Sequence, residues 1–257
     1  MISRPYFIPS QDHKIYAFHH LPKSHLYQDS CIVLVPPSNE ESVRSHWFNK
    51  HLGEKLAQNG FHVLRFDYFG CGDSDGDTGA GNTGIWTKNT ISAAQFLLEK
   101  SGCHMVQLVG LRAGAMIACL ASHQLPTLST VLWDPIGDRG DYLNVVESLK
   151  SQYKREAQQN RLSINFELEE GCGFPINPTL RADLTRFQWE EVECQAKFTH
   201  VVNSDPKPKN HIKLPNSWKK YQVKDSGSWL SATDLRQAQF SPEVSDLLVN
   251  LCRSPHL

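Results

Sequence analysis

Apolar positions along this chain fall into short β-branched runs that alternate with helix-spaced stripes. Cys31-Ile-Val-Leu-Val35 is a continuous apolar run ended by Pro36-Pro37, as expected of a strand buried on both faces. Ser45 to Asn59 carries Trp47, Phe48, Leu52, Leu56 and Ala57 at helical spacing, with Gly60 as a C-cap. His62-Val-Leu-Arg-Phe66 predicts a second strand, and the Gly- and Asp-rich segment Asp67 to Ser74 predicts a loop. A helix follows from about Ile85 to Lys100, then a strand from Met105 to Val109. Gly110-Leu111-Arg112-Ala113-Gly114 reads as a tight turn, Ala115 to His123 as a buried helix, and Thr130 to Trp133 as a fourth strand. Ahead of all these, Tyr6 to Leu21 is mixed and predicts one or two short antiparallel strands.

Strands alternating with helices imply βαβ crossovers, and hence an α/β fold with a mostly parallel sheet. Sites in such sheets lie at the C-terminal strand ends. Here those are Pro36 to Glu41, Asp67 to Ser74, Gly110 to Gly114, and Asp134 onward. Residues 140–193 differ, being polar and helical, with a turn at Gly171-Cys-Gly-Phe-Pro175. They read as a lid-like insertion in a core made of residues 1–139 and 194–257. The core resumes with Phe198-Thr-His-Val-Val202, then a last strand over Trp218 to Val223 and a helix over Pro242 to Cys252.

Composition narrows the function classes. The chain has 257 residues, 40% hydrophobic and 21% charged, which is ordinary for a soluble globular domain. A net charge of −1 gives no bulk attraction to nucleic acid or to a membrane. No run of about 18 apolar residues occurs, and Met1 to Gln11 has no apolar core of a secretory signal. The seven cysteines are odd in number and form no CxxC, so reduced thiols in a cytoplasmic protein are expected. No His, Cys, Asp and Glu set has metal-site spacing. Gly79-Ala-Gly-Asn-Thr-Gly84 is a loose GxGxxG, but it follows a loop, not a strand, so no dinucleotide or other cofactor is expected. No motif points to a protein partner or an oligomeric state.

The turn at Gly110 to Gly114 follows a strand and opens a helix, the context of a nucleophile elbow, G-x-S-x-G. Its apex is Arg112. Phe61 to Ser74 resembles the R-x-D-x-x-G-x-G-x-S segment of α/β-hydrolases, and Val35-Pro36-Pro37 through Arg44 resembles their loop that supplies an oxyanion-hole amide. More narrowly, Pro36-Pro37, Glu40-Glu41, Arg44, Gly110 to Ala115 and Leu132-Trp133-Asp134-Pro135 resemble the exosortase A system-associated hydrolases, which are serine aminopeptidase-like. These hydrolase-like proteins are encoded with bacterial exopolysaccharide and protein-sorting systems. Gly173-Phe174-Pro175 through Leu184 resembles their lid. The resemblance implies an α/β-hydrolase fold over about residues 25–252, with helices on both faces of the sheet. It implies ester or thioester chemistry if the site is active.

A triad of this type needs a hydroxyl or thiol at the elbow, an acid after a late strand and a histidine after the last strand. Arg112 stays protonated and cannot attack a carbonyl. The acid candidates are Asp205 and Asp134. At the histidine position stands Ser228, between Gly227 and Trp229; His200 and His211 come too early, and His256 lies at the end of the chain. Ordinary serine-hydrolase chemistry is therefore not expected. Cys71 is the candidate for a rescue nucleophile, with Ser74 beside it. Two readings of Arg112 stay open. It could pair internally with Asp67, Asp134 or Asp205. Or it could bind an anionic or acyl ligand, or a partner's carboxylate, with Leu111, Ala113, Pro37, Ser38 and Ser228 around it.

Overall fold

A computed structural model describes residues 2–23, 26, 28–77, 79–159, 170–171, 174–204, 212, 214–223 and 241–256. Eight strands form one sheet: β1 (Ser3–Ser10), β2 (His13–His20), β3 (Ser30–Val35), β4 (Val63–Phe66), β5 (Met105–Leu111), β6 (Thr127–Trp133), β9 (Phe198–Asn203) and β10 (Lys219–Gln222). Their spatial order is β1-β2-β4-β3-β5-β6-β9-β10. The mixed N-terminal stretch is an antiparallel hairpin whose β2 pairs antiparallel with β4, and every later pairing is parallel.

The apolar run of β3 is explained by its two covered faces. Cys31, Val33 and Val35 point into a core built with α2 (Thr83–Ser101) and α3 (Ala113–Ser122). Ile32 and Leu34 point into a second core built with α1 (Asn39–Gln58) and α6 (Pro242–Arg253). That is the layering expected of a parallel sheet. Helix α1 begins about two turns before the apolar stripe that announces it, because nothing after Pro37 breaks a helix and Ser38 can stand at its N-cap.

Between β6 and β9 the chain forms α4 (Asp141–Gln159), a two-stranded ribbon of β7 (Glu170–Gly171) and β8 (Phe174–Pro175), α5 (Pro178–Arg186) and a 3-10 turn at Trp189–Glu191. Tyr142, Leu143, Ile176, Leu180, Leu184 and Trp189 bury themselves in the core that holds α2 and α3. No described helix is long and apolar enough to cross a membrane.

Candidate functional site

The turn from β5 into α3 can be made only by small residues. A Cβ on Gly110 would lie 2.3 Å from the Gly114 carbonyl oxygen, and a Cβ on Gly114 would lie 2.4 Å from those of Val35 and Pro36. Between them Arg112 is held at φ 56° and ψ −118°, a region costly for a side chain. Its N–H donates to Trp133 O at 2.9 Å, pinning the apex to the end of β6. This is a strained strand-to-helix turn with an arginine at its apex.

The Arg112 side chain turns inward. Nε donates to Glu41 Oε1 at 2.9 Å and Nη1 donates to the backbone oxygen of Asp134 at 3.0 Å. The Glu41 side chain is fully buried and that of Arg112 is 13% exposed. The carboxylate that Arg112 hydrogen-bonds is therefore Glu41 and not Asp67, while Asp134 accepts through its main-chain oxygen. Burial pushes the Glu41 carboxyl above its ordinary pKa, against the attraction of Arg112 and Arg44. Burial also disfavours the Arg112 cation, but Glu41, with Asp134 and Tyr142, outweighs that and holds its pKa above the ordinary value. Glu41 Oε2 has no hydrogen-bond partner among the described residues.

The carboxylate of Asp134 is engaged by β9. It accepts from Ser204 N at 2.6 Å and from the Ser204 hydroxyl, whose oxygen also accepts from Trp133 Nε1 at 3.1 Å. This acid candidate thus ties the end of β6 to the end of β9.

The other residues expected to surround Arg112 divide. Pro37 and Ser38 lie buried at the β3 end. Because Pro36 and Pro37 have no N–H, the first main-chain donor this loop offers is that of Ser38. The side chain of Leu111 lies buried in the core with Phe48 and Trp133. Ala113 is likewise buried, leaving its main chain as its only contribution at the first turn of α3. Asp205, Ser228 and His211 lie outside the described residues. His200 is buried within β9, with Nε2 bonded to Pro255 O at 2.9 Å and Nδ1 facing Tyr221 Oη at 3.3 Å, so it is a packing residue. His256 serves through its carbonyl, which accepts from Lys219 Nζ. Among the described residues no group of three metal-ligating side chains occurs.

Between α1 and the β4–α2 loop lies a cleft of about 430 Å³. Val43 and His46 of α1, Phe69, Cys71 and Asp73 of the β4–α2 loop, Trp86, and Pro175 and Leu180 of the β6–β9 segment line it. A neighbouring cavity of about 350 Å³ shares Ser42, His46, Asp67 and Asp73 and adds Lys50 and Arg65. The cleft wall is fixed by Asn177, whose Nδ2 donates to Gly79 O at 2.6 Å and Gly81 O at 2.8 Å. A Cβ on Gly79 would strike Pro175 at 2.6 Å, so the run read loosely as GxGxxG is a packing surface. Asp67 accepts from Asp73 N, and its pKa is raised by burial despite that bond. Cys71 is pushed up to about 11, first by burial and then by Asp67. Its thiol hydrogen-bonds no base among the described residues, so it lacks what a nucleophile needs.

Glu41 is the site residue that sequence reasoning missed. It lay within the strand-end stretch Pro36 to Glu41 but was not weighed as a partner of Arg112.

No protein-family model and no curated protein sequence matches the chain. Solved structures do. A putative hydrolase from Agrobacterium vitis S4 superposes with a TM-score of 0.59 at 18% identity, covering 98% of each chain. Est1E from Butyrivibrio proteoclasticus, solved with ferulic acid, gives 0.63 at 14% identity over 97% of this chain and 98% of that one. XC6422 from Xanthomonas campestris, described as an a/b serine hydrolase without lid, gives 0.60 at 12% identity over 98% and 94%. The chain has the α/β-hydrolase fold.

Proposed function

We propose that this chain is a hydrolase-fold protein that works by binding and not by serine-hydrolase turnover. The observation that carries this reading is Arg112 at the elbow apex, hydrogen-bonded to a buried glutamate. A guanidinium cannot form an acyl intermediate, and here it fills the position from which a nucleophile would attack.

The ligand enters the cleft between α1 and the β4–α2 loop, with Pro175 and Leu180 of the β6–β9 segment at its wall. An acyl or aromatic portion fits the wall of Val43, Phe69, Trp86 and Leu180. An anionic group at Arg112 has less support. Arg112 and Arg44 are balanced locally by Glu41 and Asp134, so the remaining attraction is that of the α3 N-terminus and one Nη group. The link to exopolysaccharide and protein-sorting systems rests on the motif resemblance alone, and co-purification with components of such a system tests it.

The alternative is a hydrolase or acyltransferase acting on esters or thioesters through Cys71. One panel separates the two: p-nitrophenyl esters and acyl-thioesters with the unmodified protein, Arg112→Ala and Cys71→Ala. No turnover above background in any of the three supports the binding reading. Turnover lost only in Cys71→Ala, or stoichiometric labelling of one serine by a fluorophosphonate, overturns it.

A further inference from the structure

The cavity next to the cleft is lined by a cation that no described carboxylate meets. Arg65, half-buried on β4, lines this space of about 350 Å³. Its Nε donates to His20 Nε2 at 3.0 Å, and its guanidinium carbon lies 5.5 Å from the centre of the Phe18 ring. His20 Nδ1 in turn meets Ser3 Oγ at 3.0 Å. The guanidinium is thus positioned by side chains of β1 and β2, none of them an anion. An imidazole nitrogen accepts only when unprotonated, so the bond to His20 orients Arg65 without balancing its charge. Arg65 forms no ion pair among the described residues. Burial lowers its pKa, against through-space attraction from Asp67, Glu54 and Tyr16. Lys50, which is exposed, lines the same cavity and likewise forms no ion pair among the described residues.

This cavity and the cleft share Ser42, His46, Asp67 and Asp73, so the polar space adjoins the apolar one. We propose that the two together bind an aryl- or acyl-carboxylic acid, its carboxylate at Arg65 and its apolar body between Val43, Phe69, Trp86 and Leu180. This rests on the reading of the cleft as a ligand site, and it places the anion at Arg65 instead of Arg112.

The chemistry of the two arginines separates them. Arg112 already donates from Nε to the buried Glu41 at 2.9 Å. Arg65 spends one N–H on a neutral acceptor, and the rest of its fork makes no hydrogen bond among the described residues. A carboxylate matches that planar fork in shape and supplies the charge that His20 does not. A single charge suits the cavity. Asp67 and Asp73 line it as well, so a dianion there would meet two carboxylates along with the two cations. Asp67 is partly engaged by the Asp73 N–H at 3.1 Å, which leaves Arg65 and Lys50 as the charged donors facing a monoanion.

Calorimetric titration of the full chain with hydrocinnamate and with hydrocinnamamide, its neutral counterpart of the same shape, tests this. The acid is expected to bind about tenfold more tightly than the amide, as one charge-assisted pair supplies. Arg65→Gln should bring the acid to the affinity of the amide and leave the amide unchanged. Phenethyl phosphate, a dianion, should bind more weakly than hydrocinnamate. Equal binding of acid and amide by the unmodified protein overturns the anion site and leaves the apolar cleft as a ligand site. Binding of neither overturns both. A preference for the acid that survives Arg65→Gln, or tighter binding of the phosphate, also overturns the assignment. Should Arg65→Gln misfold by circular dichroism, a crystal structure of the unmodified protein with hydrocinnamate decides. A carboxylate within hydrogen-bonding reach of Arg65 supports the site, and one placed anywhere else overturns it.

Discussion

Arg112 Nε donates to Glu41 Oε1 at 2.9 Å, joining the start of α3 to the first turn of α1. The two helices pack on opposite faces of the sheet, so this bond closes over the ends of β3 and β5. Removing one partner leaves a buried charge alone. Arg112→Ala is expected to lose about 3–5 kcal/mol by urea unfolding at neutral pH. Glu41 can then take up a proton more readily, so the loss should shrink as pH falls towards 5 and grow as it rises. A loss under 1 kcal/mol, or one indifferent to pH, would show that the pair does not hold the elbow.

Backbone strain at the same residue gives an independent prediction. Glycine accepts a φ of 56° without the steric cost borne by other residues. Arg112→Gly should therefore be more stable than Arg112→Ala by about 1 kcal/mol, although both lack the ion pair. Equal unfolding midpoints would deny that the apex is strained.

Ser204 is the joint between β6 and β9. Its main-chain N–H and hydroxyl donate to Asp134, and its oxygen accepts from Trp133 Nε1. Ser204→Ala leaves the buried indole N–H without an acceptor and should cost about 1–3 kcal/mol. Ser204→Thr, which keeps the hydroxyl, should recover part of that in the same unfolding assay.

The N-terminal hairpin should make stability fall in mild acid. His19 Nε2 meets His62 Nδ1 at 2.9 Å. His20 Nε2 accepts from Arg65 Nε at 3.0 Å, which places its own proton on Nδ1, towards Ser3 Oγ. Both are depressed to about 4 by burial, His19 additionally by His62 and Arg4, His20 by Arg65, His19 and Lys50. The unfolded imidazoles bind protons near 6.5 and the folded ones do not, so stability is whole above 6.5 and drains away as pH falls to about 4. Together they should remove on the order of a few kcal/mol over that window. His20→Gln should flatten the dependence of the urea midpoint on pH, and an unchanged slope would contradict this account.

Asn177 holds the cleft wall by donating to two loop carbonyls while its Oδ1 accepts from Leu180 N at 2.8 Å. Asn177→Ala should cost about 1 kcal/mol as a lost N-cap. It should also speed amide exchange across residues 79–83, with little change in β3 or β5. Uniform acceleration over the whole chain would mean that the wall has no local role.

The parallel sheet, its helices and the elbow could be read from the chain because each is written locally. The β3 run, the glycines at 110 and 114 and the apolar spacing of α1 each carry their own cause. The partner of Arg112 was not local. Asp67, Asp134 and Asp205 were weighed because they follow strands, whereas Glu41 lies in a helical turn that begins before any apolar stripe. Its approach to Arg112 depends on β3 lying next to β5, a pairing no window of sequence displays. The inward side chain of Leu111 was missed for a related reason. A turn motif specifies the backbone path and leaves open which core receives each neighbour.

The tie between Arg112 and Glu41 also governs how this chain could change. A serine placed at 112 would strand Glu41 in the core, and a neutral residue placed at 41 would strand Arg112. Each single step therefore passes through a weakened protein, and only a paired exchange avoids it. The apex is locked by a residue seventy-one positions away, so a nucleophile there requires α1 to change with it.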